Sequence, residues 1–573
     1  MGSIGKTFEI SFFQPDEHFI KINDFPSLTK LESCLLDGGK NMNLTLEGLK
    51  NKAAWEQAGI RLPNYDIEQV VAKTKENPTW VHFGAGNIFR IFLGGVADDL
   101  IEAGLMETGI TCVETFDEEI IEKIYEPFDN LVLSVLLKAD GSTQKRVLAS
   151  LAEGMKADKT RLADIFKNPS LQMTSFTITE KGYALKDAKG SFFPWISSEV
   201  ENGPESATSA MGVVTGALYS RYLAGKFPIA VVSMDNCAHN GKILKTAITT
   251  MASEWAKADF VEAGFVEYLN DESLVTFPYS MIDKITPRPA ESVAAELTAA
   301  GISNMEPVTT SKRTFIAPFV NAEVPQYLVI ENKFPNGRPQ FERLAAGVYL
   351  TDQATVNKVE QMKVTTCLNP LHTALAVYGC VLGYTLIADE MKDEELKKLV
   401  HLIGPVEGMP VVTDPGIISP EKFVDEVINV RFPNPFMPDA PQRIATDTSQ
   451  KVGIRFGETI KSYVAKDGDA KALVGIPLAL AGWCRYLLAV DDAGNTFELS
   501  DDPMLPELTA LVADVKLGQP ETYTGQLKPL LENANVFGVN LYEVGLGDVV
   551  EGMFVELIAG VGAVRTTLKK CLD

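Results

Sequence analysis

Residues 80–90 read WVHFGAGNIFR, and the fold follows from how that stretch is parsed. Trp80–Phe83 is a short run of apolar and aromatic residues of the kind that fills a buried strand. Gly84-Ala85-Gly86 supplies a tight turn, and Asn87, Ile88 and Arg90 open a helical pattern that continues over 88–103. A strand, a glycine turn and a helix N-terminus together present backbone N–H groups and the positive end of a helix dipole to an anion such as a pyrophosphate. Gly84 and Gly86 are expected to give the turn and the close approach. Phe89 stands where a third glycine is usual, so an ordinary β–α turn remains the competing interpretation of the motif alone.

Further strand candidates follow at Ile110–Glu114, 131–137, 175–179 and 229–234, with helical spacing over segments such as 117–125. Alternating strands and helices imply a mostly parallel sheet with helices on both faces. The ligand crevice is then expected at the carboxyl ends of the strands. Glu114 ends the second strand, where a carboxylate accepts hydrogen bonds from the adenosine ribose and repels a 2′-phosphate; this selects NAD over NADP, with Asp117 and Glu118 reinforcing it. The alternative is an acidic first helical turn with no ligand.

Beyond about residue 353 the texture becomes helical, over 362–386, 393–403, 420–428, 452–465, 470–488 and 549–572. The expected fold class is α/β, a Rossmann-type N-terminal domain joined to a mainly α-helical C-terminal domain. The expected boundaries are an N-terminal extension over 1–44, the nucleotide-binding domain over 45–350 and the helical domain over 351–573. With 573 residues, 46% hydrophobic and 22% charged, the chain is globular and long enough for at least two cores. A net charge of −24 disfavours nucleic acid and anionic membrane surfaces. No run reaches the roughly 18 apolar residues of a membrane span, and neither a secretory signal nor a myristoylation site is expected at the N-terminus. Seven scattered cysteines without a CxxC pair fit reduced thiols in the cytoplasm.

Five histidines leave few candidates for a general base, and His82, inside a strand pattern, is expected to be a packed core residue. No HExxH or Cys/His cluster is present, so no metal is expected and an organic base must serve. Residues 360–372 (EQMKVTTCLNPLH) offer one. Lys363 in an apolar, desolvated cleft would lose pKa and accept an alcohol proton. Asn369 and His372, three residues apart, share a helix face and suit a clamp on the developing alkoxide. One straight helix would aim Lys363 away from them, but Pro370 disfavours helix at Asn369 and favours a new start there. The plain alternative is an Asn369 helix cap, a surface Lys363 and a core His372.

The ordered motifs WVHFGAGNIFR, TITEKGY (177–183), SMDNCAHNG (233–241), FPYSMIDKITP (277–287), NKFPNGRP (332–339) and MKVTTCLNPLH (362–372) resemble the polyol-specific long-chain dehydrogenases. That family includes mannitol 2-dehydrogenase, fructuronate reductase and tagaturonate reductase, and the similarity runs from about residue 45 to the C-terminus. It implies NAD as cofactor, bound around Gly84, Gly86, Asn87, Ile88, Arg90 and Glu114. It also implies a metal-free active site between the domains, with Lys363, Asn369 and His372 catalytic and Glu360 assisting proton release. Asn236, Asp283, Arg431 and Lys451 fall at substrate-contacting positions. Here five residues separate Lys363 from Asn369, where the family's usual spacing is four. The implied substrate is a small open-chain polyol or sugar acid. The LNPLH and AHNGK variants lean toward D-mannonate and D-fructuronate, with Lys284, Arg288, Arg431 and Lys451 as available cations.

Overall fold

A computed structural model describes residues 42–573, apart from Ala188 and Ala345. The expectations for residues 1–41, namely most of the extension and the absence of a signal or lipid site, lie outside the described residues. Residues 42–44, grouped with the extension above, are part of the folded unit: Met42 and Leu44 are buried, and Met42 bridges to Ile302.

The central sheet is parallel, with strands β1 (Trp80–Phe83), β2 (Ile110–Glu114), β3 (Leu151–Lys156), β4 (Met173–Phe176), β5 (Ile229–Ser233) and β6 (Val275–Thr276). Their spatial order is β3-β2-β1-β4-β5-β6, the Rossmann order, with its switch point between β1 and β4. Strand alternation feeds two cores. Trp80 and Ile110 join Phe89, Phe92 and Leu100 on one face of the sheet, while Val81, Phe83 and Val113 join Leu162, Leu218 and Trp255 on the other. Helices therefore cover both faces, as the alternating pattern predicts.

One strand was expected in the wrong place. Residues Val132–Leu137 do form a strand, but it pairs antiparallel with Thr143–Leu148 and parallel with Phe319–Glu323 in a separate sheet. A turn through Asp140 and Gly141 (φ 83°) folds the first pair into a hairpin. The strand that occupies the third Rossmann position, β3, has the sequence LAEGMK and is half-exposed beyond its first two residues, so it lacks the apolar run that marks its neighbours.

A third sheet pairs Ser280–Asp283 antiparallel with Tyr327–Glu331, which runs parallel to Val348–Thr351. Helix α1 (Gln353–Met362) packs on it and begins the helical half. The helix expected over 362–386 is divided. A π-helical turn, Lys363–Cys367, follows α1, Leu368 leaves helical geometry (φ −130°), and helix α2 (Asn369–Leu382) starts with Pro370 in its first turn. The helix expected over 549–572 is also two, Gly547–Leu557 and Ala563–Leu572, separated at Gly562, whose φ of 78° no helix interior adopts. Among the described residues, no helix is long and apolar enough to cross a membrane.

Candidate active site

At the carboxyl end of β1 the two glycines have different duties. Gly84 adopts φ +107°, and a Cβ there would sit 2.3 Å from the Thr177 carbonyl oxygen, so the turn needs glycine sterically. A Cβ at Gly86 would meet nothing within 4 Å. That open side, beside the unpaired first-turn N–H groups of the helix through Asn87 and Ile88, has the shape and polarity to take a dinucleotide pyrophosphate. Phe89, in place of the third glycine, stacks on His82 with ring centroids 3.9 Å apart. His82 is wholly buried between the Ser175 and Thr177 hydroxyls, and burial drives its pKa well down, so it is a neutral core residue.

Glu114 lies at the end of β2 against this loop. Its carboxylate accepts from the backbone N–H groups of Ala85 (2.9 Å), Phe116 (2.8 Å) and Asp117 (3.1 Å). The negative charge is thus held at the rim of the cradle. Asp117 does not reinforce it: its side chain is buried and accepts from the Thr310 hydroxyl at 2.6 Å. Arg90 is a second correction. Its guanidinium is fully buried and donates to the carbonyls of Ala317 and Pro318 at 2.9 and 3.0 Å, so it clamps the helix to a neighbouring segment rather than standing open on the cradle.

The second half of the site begins in the loop after β5. Asp235 accepts from Ile178 N, Thr179 N and the Tyr183 hydroxyl, joining this loop to the one after β4. Asn240 donates to the carbonyls of Ser233, Asp235 and Ser280 and accepts from Ser280 N. The loop carrying Asn236 is thereby fixed against the strand carrying Asp283. Into that corner comes Lys363, 2% exposed. Its ammonium donates to Asn236 Oδ1 at 2.9 Å and to the Ile282 carbonyl at 3.2 Å, and it lies 3.5 Å from Asp283 Oδ1. The cleft around this lysine is buried, as expected, but lined by acceptors rather than apolar.

Arg431 was expected to meet substrate. In the structure it is buried and shared between two carboxylates: Nη1 donates to Asp283 Oδ2 at 2.6 Å, and Nε and Nη2 form a fork on Glu323 at 3.0 and 2.8 Å. Burial opposes charge on Asp283, but Arg431 and then Lys363 outweigh it and hold its pKa at about 2. Arg431 therefore sets the charge and position of Asp283, which in turn faces Lys363.

Asn369 and His372 lie on the first turn of α2, partly exposed. Leu368, not Asn369, occupies the cap position, and the Asn369 side chain makes no hydrogen bond among the described residues, which leaves its amide free for a ligand. His372 Nε2 is 2.7 Å from Asp439 Oδ2, out of line for a hydrogen bond. Glu360, one turn before Lys363, is half-buried. Burial pushes its pKa up, while His239 and Lys363 pull it down. Lys451 donates to the Thr446 carbonyl, and burial, with Arg455 close by, lowers its pKa. Of the other cations considered, Lys284 is buried on the Glu323 carbonyl and Arg288 is exposed.

Asn240, Glu323, Asp439 and Arg455 meet residues on the site's elements in the structure without standing among the candidates of the sequence motifs. Asn240 stands inside SMDNCAHNG and had a local signal; the other three are far along the chain from the residues they meet and had none.

The mannitol dehydrogenase Rossmann domain model matches residues 78–343, and the mannitol dehydrogenase C-terminal domain model matches 355–546. The chain belongs to the mannitol dehydrogenase family. It is 52% identical to the D-mannonate oxidoreductase of Thermotoga maritima over 92% of this chain and 99% of that protein. It is 28% identical to the Escherichia coli D-mannonate oxidoreductase over 80% of this chain and 89% of that one. Among solved structures, Pseudomonas fluorescens mannitol 2-dehydrogenase in ternary complex with NAD and D-mannitol matches with a TM-score of 0.69 at 25% identity, covering 93% of this chain and 99% of that one.

In this mannitol dehydrogenase family member the chain passes from Lys363 to Asn369 through the π-turn Lys363–Cys367 and the non-helical Leu368, where α2 begins.

Proposed function

We propose that this protein is an NAD-dependent secondary-alcohol dehydrogenase that interconverts D-mannonate and D-fructuronate. The observation that carries this is the 52% identity to a D-mannonate oxidoreductase across nearly its whole length. When bound, NAD supplies the hydride acceptor, and the loop at Gly84 and Gly86 with the first turn through Asn87 and Ile88 would hold its pyrophosphate; Glu114 would meet its ribose. Lys363 holds the proton at Nζ. In the reducing direction it donates that proton to the oxygen that gains charge, and in the oxidising direction it takes the proton back. Asn236 and Asp283 aim Nζ, and Asn369 and His372 lie on the face that would steady the same oxygen. Glu360, at the edge of this corner, passes protons between Lys363 and solvent. A cytoplasmic location fits the chain's cysteines, none of whose six described members forms a disulfide.

Steady-state NADH oxidation with fructuronate, tagaturonate and fructose tests the substrate, with fructuronate expected to be preferred. Lys363→Ala is expected to lower kcat by about 10²–10⁴ while NADH affinity, read by fluorescence titration, stays unchanged. Normal turnover in that variant would overturn the assignment of the base.

A further inference from the structure

We propose that Arg455 is the substrate-carboxylate anchor of this site, and so the residue that selects sugar acids over uncharged polyols. This rests on the reading above that the substrate is a sugar acid. Arg455 lies on the π-turn Gly453–Gly457, which packs against the π-turn carrying Lys363. Its Nη1 donates to the Thr373 hydroxyl at 2.5 Å. Thr373 is four residues beyond Asn369 and one beyond His372, so the guanidinium sits beside the helix face that carries the expected oxygen clamp.

What distinguishes Arg455 is its lack of partners. Arg431 is neutralised by Asp283 and Glu323. Arg90, Arg221 and Arg485 are each wrapped by backbone carbonyls. Arg455 has neither arrangement. Among the described residues no carboxylate lies within ion-pair distance, and one hydroxyl is the single hydrogen-bond partner of its five N–H donors. Burial alone, with nothing opposing it, lowers its pKa to about 10. A desolvated cation without a counter-charge is costly, and it persists in a fold when a ligand supplies the missing charge. The planar fork left free matches a carboxylate in bidentate geometry. The side chain is half-buried, so a small ligand can reach it. Lys451, one turn earlier, is the second cation there: Arg455 N donates to the Lys451 carbonyl, and the Lys451 ammonium is spent on Thr446. An open-chain sugar acid carries its carboxylate at the opposite end from the reacting carbinol. Lys363 at one end and Arg455 at the other therefore divide the two recognition tasks.

The test is Arg455→Met and Arg455→Lys beside the wild type, with fructuronate and fructose as substrates. For the Met variant we expect KM for fructuronate to rise about 100-fold, with KM for fructose rising far less, NADH affinity unchanged and the melting temperature not lowered. For the Lys variant, which keeps the charge and loses the fork, a rise of about tenfold is expected, and this variant decides the matter if the Met variant does not fold. An unchanged KM for fructuronate, or equal losses on both substrates, would overturn the role of Arg455 and leave the substrate reading intact. A wild-type enzyme that reduces fructose but neither fructuronate nor tagaturonate would overturn the substrate reading itself, and the anchor with it.

Discussion

At the scale of single residues, the site is a chain of alternating charge: Lys363, Asp283, Arg431, Glu323. Its members come from a π-turn, two strands of different sheets and a second π-turn. Each is buried, where a charge without a partner is costly. Removing one is therefore expected to cost more than the loss of a surface pair. Arg431→Met leaves Glu323 buried without its counter-charge and Asp283 with Lys363 alone, and a destabilisation of about 3–5 kcal/mol is expected from chemical denaturation. A substrate-contacting arginine would instead raise KM in a protein of normal stability, so the two measurements separate the roles.

At the scale of elements, catalytic geometry depends on two devices. One is the π-turn, which recurs at Phe89–Leu93, Lys363–Cys367, Val427–Arg431 and Gly453–Gly457 and so carries Arg90, Lys363, Arg431 and Arg455. A π-turn turns a side chain out of the regular helical stripe, which is why the 3.6-residue pattern did not disclose it. The other is the loop 233–240, locked by Asn240 to the strand of Asp283. Asn240→Ala removes bonds to three carbonyls and leaves them buried. We expect a loss of about 1–3 kcal/mol in stability and a fall in kcat that exceeds any change in NADH affinity, because Asn236 would no longer hold Lys363. A fall in NADH affinity alone would show that the loop serves the cofactor instead.

At the scale of the whole molecule, the interior formed by the described residues holds a carboxyl with neither oxygen partnered. Glu390 is fully buried, and neither of its oxygens has a hydrogen bond among the described residues. Burial, with Asp439 and Asp393 nearby, raises its pKa well above the ordinary glutamate value. The fold thus prefers the protonated acid. Below about pH 4 the group is protonated in folded and unfolded chains alike and costs nothing. As pH rises through the unfolded value toward the folded one, stability is progressively lost. Glu390→Gln is expected to melt higher than the wild type at pH 7–8, with the difference closing toward about pH 4. Thermal melts across that range check it, and a difference independent of pH would refute it.

The local sequence determined what local physics can express. The β1–Gly84–Gly86 turn, the alternating strands and the run Lys363–His372 are short-range patterns of burial, turn chemistry and helix face, and they were legible without coordinates. The assignment of residues 131–137 to the central sheet failed because strand propensity does not say which partner a strand will choose; the hairpin turn and Phe319–Glu323 settled that. Arg90 and Arg431 were expected to face ligands, since an arginine in a motif reads the same whether its charge is spent or free. Tertiary structure alone decided that Arg431 meets Asp283 and Glu323, more than a hundred residues away in the chain, while the Arg455 guanidinium, among the described residues, meets Thr373 alone. Electrostatic partnership is a property of distance in space, and that is the quantity a linear pattern does not contain.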